Sequence, residues 1–148
     1  MAEERALVES KNDESSLPEL PAGTILCNDY KIVKKINAGG MDSIIYLVQG
    51  TKDNKNYAAK IIYKTPQTSE TSWESFKDEL ITYWRIKNCP NVVHIHADDK
   101  TNPNQIIAVM DYIDGYTLRE ILTHKNHLSI EETIYIFKKI AIALDAIH

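Results

Sequence analysis

The sequence has little of several features that would assign it to a special class of protein. It contains two cysteines, Cys27 and Cys89, far apart and without metal-ligand spacing, which excludes a disulfide scaffold and fits a reducing cytosol. No apolar run approaches the roughly 18–20 residues that a membrane helix requires, and the N-terminus shows no secretory signal pattern. With 148 residues, 43% of them hydrophobic and 26% charged, the composition predicts about one soluble globular domain.

The net charge of −4 is concentrated at the N-terminus. Residues 1–20 carry six acidic side chains against two basic ones, so the rest of the chain is formally neutral. A neutral body lacks the basic patch that is typical of nucleic-acid binding, and we expect no nucleic-acid partner. Residues 1–21 are polar, contain Pro18 and Pro21 and show no apolar period, which predicts a disordered acidic leader.

From residue 22 onward the pattern predicts a mixed α+β fold. Three strands follow one another without an intervening helix, and two more strands come after a helix. The five predicted strands are residues 30–36, 44–49, 57–63, 92–96 and 105–110.

The helical pattern appears first between the third and fourth strands. Trp73, Phe76, Leu80 and Tyr83 recur every three or four residues, which predicts an amphipathic helix that ends before Pro90. A short helix is predicted over residues 117–122. A last helix begins at Ser129, where Ser-Ile-Glu-Glu is a capping box.

Three features in chain order are candidates for chemistry. Residues 37–43 form a glycine-containing turn between two strands, and glycines allow backbone N–H groups to approach a phosphate, although such a turn alone is usually only a hairpin. Lys60 lies among apolar strand residues, where it needs an anionic partner or must reach solvent. Glu79 lies at the border of the helix's apolar face, which directs it toward the sheet unless it is simply solvated.

A glycine turn, a strand lysine and a helix glutamate in this order resemble the nucleotide-binding part of protein kinases. Two further stretches strengthen the resemblance: residues 88–93, Asn-Cys-Pro-Asn-Val-Val, are similar to the family's H-P-N-I-V, and residues 109–118 are similar to V-M-E-Y-x-x-G-x-T-L. The chain therefore resembles the N-lobe of a eukaryotic-like (Hanks-type) Ser/Thr protein kinase of the bacterial branch, continued through helix αE. The resemblance implies a five-stranded antiparallel sheet plus helix αC in residues 22–110, and the hinge, αD and αE of an incomplete C-lobe in residues 111–148.

The resemblance also implies roles for individual residues. Lys60 would contact the α- and β-phosphates of ATP, and Glu79 would pair with its ammonium. Met110 would be the gatekeeper, with the backbone of Asp111 and Ile113 bonded to the adenine edge. The remaining implied positions are the phosphate loop (Ala38, Gly39, Gly40, Met41), the adenine sandwich (Ile45, with Ile44 as the alternative register, and Ala58) and the spine behind the glutamate (Tyr83, Ile95).

Other motifs of the family do not occur in the sequence. There is no H-R-D-x-x-x-x-N, D-F-G or A-P-E segment, so the ligands for Mg²⁺ are expected outside this chain, and the chain alone is expected to be inactive. The implied function is ATP-dependent phosphoryl transfer to Ser/Thr hydroxyls of protein substrates, with Mg²⁺. The alternative is a half-kinase or pseudokinase that binds nucleotide or a partner. We expect a cytoplasmic location, with a membrane anchor or a dimer conceivable in a longer protein.

Two histidines alternate in the fourth predicted strand. His94 and His96 could in principle ligate a metal, but no third ligand lies nearby in the sequence. We therefore interpret them as strand surface and predict no metal site.

Overall fold

An antiparallel sheet of six strands forms the body of the molecule in the computed structural model, which describes residues 17–39, 42–86 and 89–146. The spatial order of the strands is β1-β2-β3-β4-β6-β5, so most neighbours in the sheet are also neighbours in the chain. The strands are β1 (Ile25–Leu26), β2 (Tyr30–Gly39), β3 (Ser43–Gly50), β4 (Asn56–Tyr63), β5 (Ile95–Asp99) and β6 (Gln105–Asp111).

Three helices complete the fold. They are α1 (Glu70–Arg85), between β4 and β5, and α2 (Leu118–Lys125) and α3 (Ile130–Asp145), which follow β6. Ser69 caps α1 by accepting a hydrogen bond from the Ser72 N–H. At the start of α3, the Ser129 and Glu132 side chains each bond the other's backbone N–H, which confirms the predicted capping box.

The strand register separates the side chains onto two faces of the sheet. Because side chains alternate along a strand, Tyr46 on β3, Ile61 on β4 and Val109 on β6 share one face and are buried there. On the opposite face α1 covers part of the sheet, where Trp73 and Leu80 form a second buried cluster with residues of β5 and β6. The remainder of that second face contains the candidate site.

The predicted strands are confirmed with two differences. A two-residue strand, β1, precedes them, and β5 begins at Ile95 rather than at residue 92. Asn91 adopts a positive φ of 64°, a conformation that a strand does not use, so regular pairing starts only after this turn. None of the helices within the described residues is long and apolar enough to cross a membrane.

The expectation of a disordered leader through residue 21 is wrong for its last residues. The Leu20 N–H donates to the Tyr46 hydroxyl over 2.8 Å, and the Tyr63 hydroxyl donates to the Pro18 carbonyl over 2.8 Å. Leu17 and Leu20 also pack on the buried cluster of the first sheet face. The two leucines cover apolar surface of the sheet, a contact that the acidic and polar composition of this segment does not predict. The rest of the predicted leader, residues 1–16, lies outside the described residues.

Helix α3 presents an apolar surface to solvent. Phe137 is 68% exposed, Ile140 47% and Leu144 50%, and none of the described residues of α2 or α3 is buried. The Cys89 thiol donates to the Ala143 carbonyl over 3.8 Å, a contact between α3 and the segment that precedes β5. The apolar stripe of α3 is thus largely exposed within the described part of the chain.

Candidate functional site: a sheet face with a half-buried lysine

The register of the central strands brings the sequence-predicted residues onto one face. Ile45 on β3 lies opposite Lys60 on β4, and Ala58 lies opposite Met110 on β6. Residues that pair across antiparallel strands share a face, and so do residues two apart on one strand. Ile45, Ala58, Lys60 and Met110 therefore line a single surface, which we call the lysine face.

Helix α1 borders the lysine face. Its Trp73 and Leu80 are buried against Ile106 and Ala108, and this packing fixes the rotation of the helix about its axis. Glu79 precedes Leu80 and is exposed at the edge of the packed stripe. The helix thus supplies a carboxylate at the margin of the sheet.

Lys60 and Glu79 line the same cavity. It has a volume of about 250 Å³, and its lining is otherwise mostly apolar: Ile62, Phe76, Leu80, Tyr83, Val93, Ile95, Ala108 and Met110. Lys60 is half-buried and Glu79 is exposed. The ion pairs among the described residues do not include one between these two side chains, so the expected ammonium–carboxylate contact is not formed in this structure.

The absence of an ion pair leaves a positive charge beside an apolar surface. The neighbouring Lys64, directly after β4, is instead paired with Glu70 over 2.5 Å and lies 5.9 Å above the Trp73 ring. Within the described part of the chain Lys60 has no such partner. An apolar surface with one free cation at its edge suits a ligand that has a flat apolar part and an anionic part.

The glycine turn joins β2 to β3, the strand that contributes Ile45 to the lysine face. Gly39 pairs with Ser43, and Ala38 pairs with Ile44, at the end of the β2–β3 hairpin. Asp42 closes the turn at a positive φ of 50°, a conformation that aspartate tolerates. Gly40 and Met41, which the sequence predicts as phosphate-loop residues, lie outside the described residues.

Asp42 is held by the end of β4 and the loop that follows it. Its carboxylate accepts a hydrogen bond from the Thr65 hydroxyl over 3.0 Å, and its carbonyl accepts one from the Tyr63 N–H over 2.9 Å. Both partners belong to the end of β4 and the loop that follows. The negative charge of Asp42 is thereby directed at Thr65, and the residue does not line the cavity that Lys60 lines.

The segment after β6 provides backbone groups at the far end of the lysine face. Asp111 ends β6, and its N–H donates to the His94 carbonyl over 3.0 Å. Ile113 is exposed, and its N–H has no partner among the described residues, whereas its carbonyl accepts from the Gly115 N–H over 3.1 Å. The hydrogen bond from His96, followed by one from the His94 backbone, lowers the pKa of the Asp111 carboxyl.

Comparison with known proteins agrees with this geometry. The family model "Protein kinase domain" matches residues 30–148. The chain belongs to the protein kinase family. Similar curated proteins include a putative serine/threonine-protein kinase of Mycoplasma genitalium, 34% identical over 153 residues and covering 87% of this chain, and a probable serine/threonine-protein kinase of Clostridium perfringens, 34% identical over 126 residues and covering 85% of it.

The matches cover only part of each relative. The chain spans 39% of the Mycoplasma relative's length and 18% of the Clostridium relative's length. Among solved structures, the kinase domain of Mycobacterium tuberculosis PknI is similar with a TM-score of 0.74 over 88% of this chain and 53% of that one. At 22% sequence identity this last likeness establishes the fold, a kinase N-lobe with the start of a C-lobe.

Two arrangements near the site were missed by reasoning from the sequence. The first is the tether from Asp42 to Thr65, because residues 23 apart in the chain carry no pattern that links them. The second is the contact of both histidines with Asp111, since strict alternation predicts that His94 and His96 occupy ordinary strand surface. The described residues contain no group of side chains placed to hold a metal. The contact of the histidines with Asp111 does have a signal in the sequence: a carboxylate directly follows one predicted strand, and two histidines lie in the other strand of the same predicted pair.

Proposed function

We propose that this chain binds ATP on the lysine face, as the nucleotide-binding part of a serine/threonine protein kinase. The placement of Lys60 carries the proposal. Its ammonium has no anionic partner among the described residues and lies beside an apolar surface that extends to Met110, the residue before Asp111. Kinases of this family use a strand lysine in this position for the α- and β-phosphates.

The other residues of the face have corresponding roles in this proposal. Ile45 and Ala58 would enclose the adenine ring, and Met110 would pack behind it on the lysine face. The free N–H of Ile113 would donate to the adenine edge, together with backbone groups of Asp111. Backbone N–H groups of the turn at Ala38, Gly39, Gly40 and Met41 would approach the phosphates.

The family uses Mg²⁺ together with ATP, and the metal neutralises charge on the phosphates. No described side-chain cluster is placed to bind a metal, and the sequence contains neither H-R-D nor D-F-G. We therefore propose that these 148 residues bind the nucleotide, and that transfer of the γ-phosphoryl group to Ser/Thr hydroxyls of a protein belongs to the activity of the whole protein. The names of the relatives, which are serine/threonine-protein kinases, support that substrate class.

The test compares ATP with adenosine. Lys60→Met should weaken ATP binding by about ten- to a hundredfold, the range for losing a hydrogen bond to a charged group. Adenosine binding should stay within about twofold, because adenosine has no phosphates. Lys31→Met, which changes an exposed lysine of β2, is the matched control. Equal affinity of the parent chain and Lys60→Met for ATP would contradict the role of this lysine, and absence of ATP binding by the parent would overturn the proposal.

A binding module without catalysis is the second candidate, and the unpaired Lys60 and Glu79 favour it. It predicts nucleotide or partner binding in every longer form of the protein, with no phosphate transfer. Incubation with γ-labelled ATP and a Ser/Thr-rich acceptor protein separates the two. Labelling of the acceptor by a longer form, lost in Lys60→Met, supports the kinase; binding without labelling supports the module.

A further inference from the structure

Asp111 is joined to two histidines by both its side chain and its backbone. Its Oδ1 lies 2.6 Å from His96 Nε2, and its Oδ2 accepts the His94 N–H over 3.1 Å with His94 Nδ1 at 3.4 Å. The Asp111 N–H returns a hydrogen bond to the His94 carbonyl. These four contacts connect the last residue of β6 with the beginning of β5.

A β-bulge brings His96 into this cluster. Ile95 pairs with Met110 and Ala97 with Val109, so His96 is an extra residue without a partner in the register. A bulge changes the direction of the side chain it carries, and bulges occur often beside functional sites. The His96 ring also packs edge-on against Tyr57, with ring centroids 4.9 Å apart, and this contact holds the imidazole in place.

The cluster fixes the point at which the chain leaves the sheet. Tyr57, the residue that packs on His96, lies opposite Asp111 in the β4–β6 register. Beyond Asp111 the chain continues without regular structure as far as Thr117, the cap of α2. Ile113 is exposed, and its N–H bonds no other residue that the structure describes. The direction of this segment depends on what holds Asp111.

We propose that His94, His96 and Asp111 form a latch that positions the 111–113 backbone for adenine binding. Asp111 and His96 are then positioning residues, because they act on the ligand through the backbone and not by contact. This inference rests on the proposed function, since it concerns the same nucleotide site.

The latch depends on the charge of the histidines. The groups that face Asp111 are His94 and His96 from the β5 side and Tyr57 from β4. The hydrogen bond to Asp53 raises the pKa of Tyr57 to about 12, and the hydrogen bond from His96 lowers the pKa of the Asp111 carboxyl. Imidazole is the side chain whose charge generally responds to pH near neutrality. A protonated imidazole holds the carboxylate more strongly than a neutral one.

The experiment measures adenosine affinity of the whole chain between pH 6 and pH 8 by ligand-detected NMR. Adenosine has no phosphates, so its affinity measures the contacts of the adenine with the 111–113 backbone and does not include the phosphate contact of Lys60. We expect the affinity of the parent to fall by about two- to fivefold as the pH rises, the range for exposed ion pairs. The double variant His94→Asn/His96→Asn and the variant Asp111→Asn should bind more weakly at pH 6 and show no pH dependence.

Asp114→Asn is the matched control, because Asp114 is an exposed carboxylate in the same segment and takes part in no hydrogen bond or ion pair with a described residue. It should behave like the parent. Circular dichroism checks that each variant is folded. If Asp111→Asn does not fold, the double histidine variant tests the latch in its place. A parent whose adenosine affinity is independent of pH, or an Asp111→Asn variant that matches Asp114→Asn, overturns the latch and leaves the nucleotide site intact. A parent that binds neither adenosine nor ATP overturns both.

Discussion

Lys60 on β4 and Glu79 on α1 line one cavity without forming an ion pair. The strand lysine is half-buried on an apolar sheet face, and the helix glutamate is exposed at the margin of that face. A charge beside apolar surface is costly to desolvate when no partner compensates it. The Lys60 ammonium is therefore available to an anionic group of a ligand that binds on the lysine face.

The absence of the ion pair predicts weak coupling between the effects of the two residues on stability. Lys60→Met and Glu79→Gln should change the free energy of unfolding with a coupling energy smaller than that of a contacting ion pair, because the two side chains form no ion pair and can interact only through the cavity that they share. Urea unfolding of the parent, both single variants and the double variant measures the coupling. Glu70→Gln combined with Lys64→Met is the positive control, since that pair is in contact. A coupling between Lys60 and Glu79 as large as that of the control would show that the two are paired in solution.

Much of the sheet follows from short-range pattern in the sequence. The alternation of residues 30–36 and the apolar run before Asp111 predict strands that the structure contains, and the capping box at Ser129 predicts the start of α3. These signals are local, because a strand period or a helix cap involves residues a few positions apart. The family resemblance added that the strands form one antiparallel sheet with a helix.

The parts that were not predicted depend on contacts between distant residues. Leu20 and Tyr46 are 26 residues apart, and His96 and Asp111 are 15 apart. The bulge at His96 breaks the strict alternation that reasoning from the sequence assumes, so both histidines were assigned to ordinary strand surface. The pairing of Lys60 with Glu79 was expected from the family resemblance, and the structure instead leaves the two groups separate within a shared cavity.

The N-terminal segment should contribute to stability through Tyr46. Tyr46→Phe removes the hydroxyl that accepts the Leu20 N–H, and we expect a loss of about 0.5–1.5 kcal/mol in the free energy of unfolding. Tyr135→Phe on α3 is the matched control, because that ring is 63% exposed, and it should leave the stability unchanged. Urea unfolding followed by circular dichroism gives both values. Equal stability of Tyr46→Phe and the parent would mean that the hydrogen bond between Leu20 and Tyr46 does not stabilise the fold.

Cys27 should be an unreactive thiol although it is only partly buried. Burial, and then the charges of Asp99 and Asp98, raise the pKa of its thiol from 9.0 to about 11. Alkylation requires the thiolate, so at pH 8 the reaction with iodoacetamide should be roughly a hundredfold slower than in the unfolded chain. Peptide mass mapping separates Cys27 from Cys89, and the chain in urea provides the reference rate. The same rate in the folded and unfolded chain would contradict the raised pKa.

The exposed side of α3 should bind hydrophobic dyes. One side of α3 carries exposed apolar side chains at spacings of four, three and seven residues: Ile130, Ile134, Phe137 and Leu144. Large contiguous apolar surfaces are uncommon on monomeric proteins. Phe137→Ser should reduce the fluorescence of a bound naphthalene-sulfonate dye while leaving the Tm unchanged, because the side chain is 68% exposed and loses little packing. Val33→Ser changes an exposed apolar residue of β2 and should leave the dye signal intact. A parent chain that binds no dye and stays monodisperse would show that another part of the polypeptide covers α3; a Phe137→Ser variant with an unchanged signal would place the dye elsewhere.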